Sequence, residues 1–500
     1  WGMLFARNAQ EVGDLALISR KTAEDTHTPF LNIMDGFLTT HTIENVCLHE
    51  PEMMNEFVGK PQDKLINMMD PYHPIMSGVV QNTDSYMKGK IAQRVYTDKI
   101  EETLLKNMDE FYKLTGRQYG LISKYKMDDA EFAIVGMGSM VETAEAAVNY
   151  LRNEKGIKVG IVHVTSFRPF PGKQIVEALK NVKAISVLER MDNPLAESNP
   201  LTMEIKSSFA DNLNPDENGH IKIPKIFSGS AGLGSRDIRP DDIMAVVENM
   251  LKNDKKYFAI GINHDLALDT GESTDIRSEG TFSMRGHSVG GYGSVTTNKI
   301  IATIVADLFD MYVQAYPKYG SEKKGLPTTY YLTVSPDRVK THNELEFVEF
   351  VPLNDVNAFN LANPLKGLQH GGMLFVQTPK VESSEIWCDF PKWAQKIIHE
   401  KKIKVMALDT VKIAREVSSK ADLIQRMQGI VLLGIFLKAT PFLERSGISE
   451  DELMQGVEKS LRKYFGKRGE QVVQDNLNAV KRGFNEVFEI KQEVAEEVST

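Results

Sequence analysis

Cysteine is nearly absent from this sequence: the 500 residues include two, Cys47 and Cys388. So few thiols exclude a disulfide scaffold, a four-thiolate zinc site and an iron–sulfur cluster held by this chain alone. Long apolar runs are lacking as well, because the longest, residues 429–437, falls far short of the roughly 20 residues that cross a bilayer. Nor is there an excess of positive charge. The 59 basic and 68 acidic side chains leave a formal net charge of −9, which disfavours a chain that coats nucleic acid. The histidines show no metal-ligand spacing such as HExxH, and no Gly-x-Ser-x-Gly elbow occurs, so we expect no metal site and no catalytic residue can be named. At Trp1-Gly2-Met3 there is no initiator methionine, basic n-region or apolar h-region. The N-terminus therefore reads as cut from something longer, and a reducing cytoplasm is the expected compartment.

What is present is an ordinary globular balance, 42% hydrophobic and 25% charged. At roughly 150 residues per domain the length predicts about three domains. Residues 1–7 run into helix-like sequence with Val12, Leu15, Ala16, Leu17 and Ile18, which predicts a helix feeding a buried strand at 29–34 and a turn at Asp35-Gly36-Phe37. Residues 67–89 are turn-rich and aperiodic, the pattern of a long surface loop. Between 128 and 251, apolar segments at 132–135, 159–164 and 184–188 alternate with helix-like stretches at 142–150 and 172–179, as in a parallel α/β sheet. The first of these strands closes in Gly136-Met137-Gly138-Ser139, a turn suited to receiving a phosphate at a helix N-terminus. After a polar linker at 269–279, strands are expected at 281–285, 328–334, 373–377 and 405–408. A helix there carries Ile300, Ile301, Ile304, Val305 and Leu308 on one face. From 421 the text reads as helical to the end, with 486–497 a solvated helix face or a tail, and His342-Asn343 is expected to be structural, satisfied by backbone. The fold class is therefore multi-domain α/β.

The most specific local feature is the glycine-rich run Gly286-His287-Ser288-Val289-Gly290-Gly291-Tyr292-Gly293-Ser294-Val295 between a strand and an amphipathic helix. Glycines let backbone approach a ligand, and a helix N-terminus offers free N–H groups to a phosphate. The spacing is not Gly-x-Gly-x-x-Gly and no acidic residue follows about 20 positions later, so a nicotinamide dinucleotide is disfavoured. A basic loop, Ser321-Glu322-Lys323-Lys324-Gly325, can bring an ammonium to the same place. A solvated turn is the plain alternative.

Several stretches in register resemble the pyruvate:ferredoxin (flavodoxin) oxidoreductase family. They are Asn8-Ala9-Gln10-Glu11-Val12, Asp35-Gly36-Phe37, Thr39-Thr40-His41, Gln81-Asn82 and Leu114-Thr115-Gly116-Arg117, followed by Ala133 to Ser139, Phe167-Arg168-Pro169-Phe170, Gly232-Leu233-Gly234-Ser235, Phe258-Ala259-Ile260-Gly261-Ile262 and the loop from Gly290 to Lys299. The resemblance implies a division into four parts: 1–120 as the C-terminal part of a pyrimidine-binding-like thiamine-enzyme domain, 121–255 as a domain like the C-terminal domain of transketolases, 256–445 as a gamma-type α/β domain of 2-oxoacid oxidoreductases, and 446–500 as a helical extension.

The resemblance also implies a reaction, the oxidative decarboxylation of pyruvate with coenzyme A to acetyl-CoA, CO₂ and reduced ferredoxin. Carried over by position, the residues implied to bind coenzyme A are Gly291, Tyr292, Gly293, Ser294, Val295, Lys323 and Asn476. A further family asparagine is missing near 428, where Gln425 and Arg426 stand. Thiamine diphosphate, Mg²⁺ and 4Fe–4S clusters are implied on domains or a partner chain outside this sequence, with the residues that touch substrate. Expected partners are ferredoxin or flavodoxin, thiamine-binding and iron–sulfur domains or subunits, and further copies in a homodimer or hetero-oligomer, with no nucleic acid and no membrane. The competing readings are a subunit acting on 2-oxoglutarate or another 2-oxoacid, and a noncatalytic α/β scaffold.

Overall fold

The computed structural model describes residues 1–213, 222–289, 294–318, 327–354, 357–361 and 363–490. They form two compact units, one made of Trp1–Thr40, Val46–Ile276 and Lys340–Asn343, the other of His41–Asn45, Arg277–Val339 and Glu344–Thr500. Strands are numbered along the chain and helices are given by range. No helix among the described residues is long and apolar enough to cross a membrane.

Unit 1 begins with β1 (Gly2–Phe5), a strand not expected from the sequence, and continues through the expected helix, Ala9–Thr26, to β2 (Phe30–Ile33). Asn8 caps that helix by accepting the Glu11 N–H at 3.0 Å, as a short polar side chain does at this position. β3 (Ile43–Glu44) belongs to unit 2. The chain then passes through helices Pro51–Val58 and Ile100–Thr115 to β4 (Ile122–Tyr125) and β5 (Phe132–Gly136). Next come β6 (Val159–Val164), β7 (Ser166–Arg168), β8 (Ala184–Glu189), β9 (Lys225–Ser230) and β10 (Tyr257–Ala259). A small sheet has the order β2-β1-β7, and a six-stranded sheet has the order β10-β9-β8-β5-β6-β4. The expected buried strand at 29–34 is in fact an edge strand, with Leu31 exposed. An edge strand covered on one side cannot bury both faces.

In the larger sheet β6 and β8 are buried along their whole length. That explains their continuous apolar text, since parallel strands with helices on both faces have no solvent side. Alternation of side chains sends Ile134, Val159 and Ile161 into one layer and Ala133, Val135 and Val162 into the other. Helices Met140–Lys155 and Pro240–Lys252 cover the first layer, and Gly172–Leu179 and Pro200–Asn212 the second.

Unit 2 is built on β11 (Phe282–Val289), β12 (Tyr312–Lys318), β13 (Pro327–Ser335), β14 (Val348–Leu353), β15 (Leu368–Gln377), β16 (Lys404–Leu408) and β17 (Phe488–Glu489). With β3 they make an eight-stranded mixed sheet of order β17-β16-β15-β14-β11-β13-β12-β3. One face packs against helices Ser294–Phe309, Ile424–Ala439, Glu450–Phe465 and Glu470–Glu486. Helix 294–309 buries Ile300, Ile301, Ile304 and Val305, the expected face, with Leu308 at its margin. The stretch from 421 is not helical to its end: β17 follows Glu486 and adds an antiparallel edge to β16 through Ala407 and Phe488. Phe488 and Ile490 pack against the core beside that edge, so this segment serves as ladder rather than as another helical turn.

Candidate functional site

In unit 2 a cleft of about 70 Å³ opens between three helices of the face just described. Thr297 and Ile300 come from helix 294–309, Arg426, Met427 and Ile430 from helix 424–439, and Val472 and Asn476 from helix 470–486, with Phe465 and Arg468 closing the rim. The floor is apolar and the rim carries two guanidinium groups. Arg462 and Arg482 nearby each pair with two carboxylates. Arg426 and Arg468, both exposed, make no ion pair among the described residues. A strongly basic pair at the mouth of an apolar cleft suits a ligand with an anionic group and a flat or aliphatic body.

The residues expected to bind a ligand divide three ways. Asn476 lines the cleft, is buried, and donates from Nδ2 to the Val472 carbonyl at 2.6 Å, so its own helix orients the amide. Ser294 and Val295 open helix Ser294–Phe309, the helix that supplies Thr297 to the cleft. Gly291, Tyr292, Gly293 and Lys323 lie outside the described residues. Arg468 carries no sequence signal of its own, because basic residues are common where a helix ends. Its place at the mouth of the cleft is visible only once the helices are packed.

Before the glycine-rich loop, β11 buries much of His287. Burial, and then the charge of Arg285, pushes its imidazole down from 6.5 to about 4, so the ring is neutral near pH 7. Its Nε2 is buried without a partner among the described residues.

Two expectations in unit 1 are corrected. The turn Gly136-Met137-Gly138-Ser139 does begin a helix, but the anion it receives belongs to the protein: the Ser139 N–H donates to Asp35 Oδ2 at 2.5 Å. Gly138 permits this approach with φ of 76°, where a Cβ would lie 2.7 Å from that oxygen. An internal carboxylate satisfies the helix dipole as a phosphate would. His342 is structural, but a carboxylate holds its ring, since Nε2 lies 2.8 Å from Glu142 Oε2 while its backbone N–H donates to Thr143 Oγ1 at 3.0 Å. Glu142 also accepts from Asn8 Nδ2 at 2.7 Å, so the buried acid has partners from two sides.

Three family models match the chain in order. Residues 1–109 match the thiamine diP-binding region of pyruvate flavodoxin/ferredoxin oxidoreductase, 130–243 match pyruvate:ferredoxin oxidoreductase core domain II, and 283–486 match pyruvate ferredoxin/flavodoxin oxidoreductase. The pyruvate:ferredoxin oxidoreductase of Moorella thermoacetica is 30% identical over 98% of this chain and 41% of its own length. The pyruvate-flavodoxin oxidoreductase of Trichormus variabilis is 29% identical over 98% of this chain and 40% of its own. The chain thus spans about two fifths of these curated relatives. Among solved structures, a pyruvate oxidoreductase subunit of Thermotoga maritima is 20% identical with a TM-score of 0.31, covering 42% of this chain and 99% of that subunit.

Proposed function

From the premise that this chain belongs to the pyruvate:ferredoxin/flavodoxin oxidoreductase family, we propose that it forms part of an enzyme oxidising pyruvate and that unit 2 holds coenzyme A. In that reaction pyruvate loses CO₂, its acyl carbon forms a thioester with the coenzyme thiol, and the two electrons released pass one at a time to ferredoxin or flavodoxin. The observation that carries the assignment is the couple Arg426 and Arg468, without an ion pair among the described residues, over an apolar cleft with Asn476 in its wall. The guanidinium groups match phosphate oxygens, the apolar floor matches the uncharged part of the ligand, and at about 70 Å³ the cleft takes one group of such a molecule. Lys323 and the loop Gly291-Tyr292-Gly293 are proposed as further phosphate contacts, with Ser294 and Val295 at the helix start.

The other groups implied by the family are assigned elsewhere. Among the described residues no set of three or more His, Cys, Asp or Glu side chains is placed to hold a metal. Both cysteines are free and exposed. Such donors do not fit a Mg²⁺–diphosphate site or an iron–sulfur cluster, and no step is routed through either. We place the clusters, the metal and the thiamine diphosphate group it binds on partner domains or chains, in a homodimer or hetero-oligomer, with residues 1–109, which match the family's thiamine diP-binding region, contributing to the rest of that cofactor's site. The four-part division at 120, 255 and 445 is retained as part of this reading.

Calorimetry with coenzyme A tests the site. Binding is expected, and Arg468→Ala should cost roughly 1.5–3 kcal/mol, the size of a charge-assisted hydrogen bond, with Lys323→Ala comparable. In the complete enzyme Arg468→Ala should raise KM for coenzyme A more than it lowers kcat. No binding to the unmodified chain would leave the scaffold reading. Affinity unchanged by either variant would reject this cleft.

A further inference from the structure

The parallel sheet of unit 1 contains a second crevice, of about 320 Å³, lined by Asp35, Gly36, Arg190 and the turn 232–235. Its place in the fold is informative. From β5 the chain adds β6 on one side, then crosses to add β8, β9 and β10 on the other. Open α/β sheets take up ligands outside the carboxyl ends of the strands where the order reverses in this way. Arg190 directly follows β8 and the turn 232–235 closely follows β9, so both stand at those carboxyl ends.

The donors there are unusual. Ala231 N–H donates to the Glu189 carbonyl at 2.9 Å and Arg236 N–H to the Leu233 carbonyl at 3.1 Å. Between them, Leu233–Ser235 make one short 3-10 turn, and the N–H groups of Gly232, Leu233 and Gly234 at its start have no acceptor among the described residues, those of the exposed Leu233 and Gly234 being open to solvent. Gly232 is buried, and a buried backbone donor left unpaired is rare in folded proteins. Ser235 holds a φ of 61°, a conformation that non-glycine residues seldom adopt away from functional turns. Arg190 adds charge beside these amides. Its Nη1 donates to the Gly232 carbonyl at 2.9 Å and its Nε lies 2.8 Å from Asp35 Oδ1, while Nη2 makes no hydrogen bond among the described residues. Asp35 is already engaged by Arg190 and by the Ser139 N–H, so its charge is balanced within the protein.

We propose that this crevice is an oxyanion site that takes the phosphate group of a small phosphorylated metabolite. Three amides and one guanidinium edge face the crevice from different directions, an arrangement that the three terminal oxygens of a phosphate monoester match better than the two coplanar oxygens of a carboxylate. The volume admits such a group with a short carbon skeleton and lies at the lower end of small-molecule sites. The site draws only on unit 1, so it stands or falls apart from the coenzyme A assignment in unit 2.

The test is a titration of the ¹⁵N-glycine-labelled chain, following its amide signals. Inorganic phosphate and glycerol phosphate are expected to move Gly232 and Gly234 saturably, while potassium chloride at matched ionic strength leaves them in place and acetate binds more weakly. Arg190→Gln should weaken phosphate binding roughly tenfold or more, with partial recovery in Arg190→Lys. The remaining glycine signals report whether each variant keeps its fold. No saturable movement with either phosphate, equal movement with chloride, or acetate binding as tightly as phosphate would each overturn the proposal.

Discussion

Asp14 shows how one side chain can organise its surroundings. On helix Ala9–Thr26 it is fully buried, accepting from Arg117 Nε at 2.6 Å, Tyr119 Oη at 2.6 Å and Gln10 Nε2 at 2.9 Å, with His49 Nε2 at 2.6 Å. Burial pushes its carboxyl up, yet the hydrogen bonds, from Arg117 first, outweigh that and hold it below the ordinary aspartate value. Asp14→Ala strands Arg117. Since that guanidinium keeps some solvent, the loss should fall near the lower end of roughly 3–5 kcal/mol, measured by urea unfolding followed in unit 1. His287 makes the opposite prediction for pH. Its folded value of about 4 lies below 6.5, so between these the unfolded chain binds a proton that the folded chain does not. Stability is complete above 6.5 and is lost as pH falls towards 4. Protection factors in β11, that is exchange rates corrected for the intrinsic slowing at lower pH, should fall from pH 7 to pH 5, and His287→Leu should remove most of that loss.

Among elements, helices Ile424–Ala439 and Glu470–Glu486 approach each other closely. A Cβ on Gly434 would sit 2.1 Å from the Val480 carbonyl oxygen, and one on Gly483 would sit 2.2 Å from that of Val431. The two backbones meet glycine against backbone from both sides, so neither position tolerates a side chain. Gly434→Ala should cost about 1–3 kcal/mol, read as a lower melting temperature of unit 2, by forcing the helices apart. Because the same helices supply Arg426, Met427, Val472 and Asn476 to the cleft, coenzyme A affinity should drop with it. The helical character of these elements was readable from 421 onward; in the structure Ser449 and Glu452 form the capping box that starts helix Glu450–Phe465, and the 429–437 run is buried. That Gly434 faces residues some fifty positions away left no trace in either helix, since helical periodicity encodes which face is apolar but not its partner.

At the scale of the whole molecule, residues 65–96 stand apart. Leu65, Ile66, Met68, Met69, Tyr72, Met76 and Val80 are all exposed, so a long segment rich in large apolar side chains buries little of itself. Backbone with so little burial opens easily. Limited proteolysis of the isolated chain should therefore cut first between 60 and 99, with fragments identified by mass, while β5, β6 and β8 stay intact. Addition of a partner that covers this surface should slow the cleavage. Cuts appearing first in the six-stranded sheet would contradict this ranking of stability.

Alternating apolar and helical text at 132–188 was enough to specify a parallel sheet, because strands buried on both faces must be apolar throughout and the crossovers between them must be helical. The glycine-rich loop was legible too, because its signal is local, whereas Asn476 was named only through the family resemblance. Tertiary structure alone decided the rest. It seated Asp35 at the helix start expected to hold a phosphate, gave His342 a carboxylate rather than backbone, and brought Arg426 and Arg468 to one cleft with no counter-ion among the described residues. Each of these outcomes joins residues far apart in the chain through charge and distance, and a one-dimensional pattern records what a residue is without recording what stands next to it.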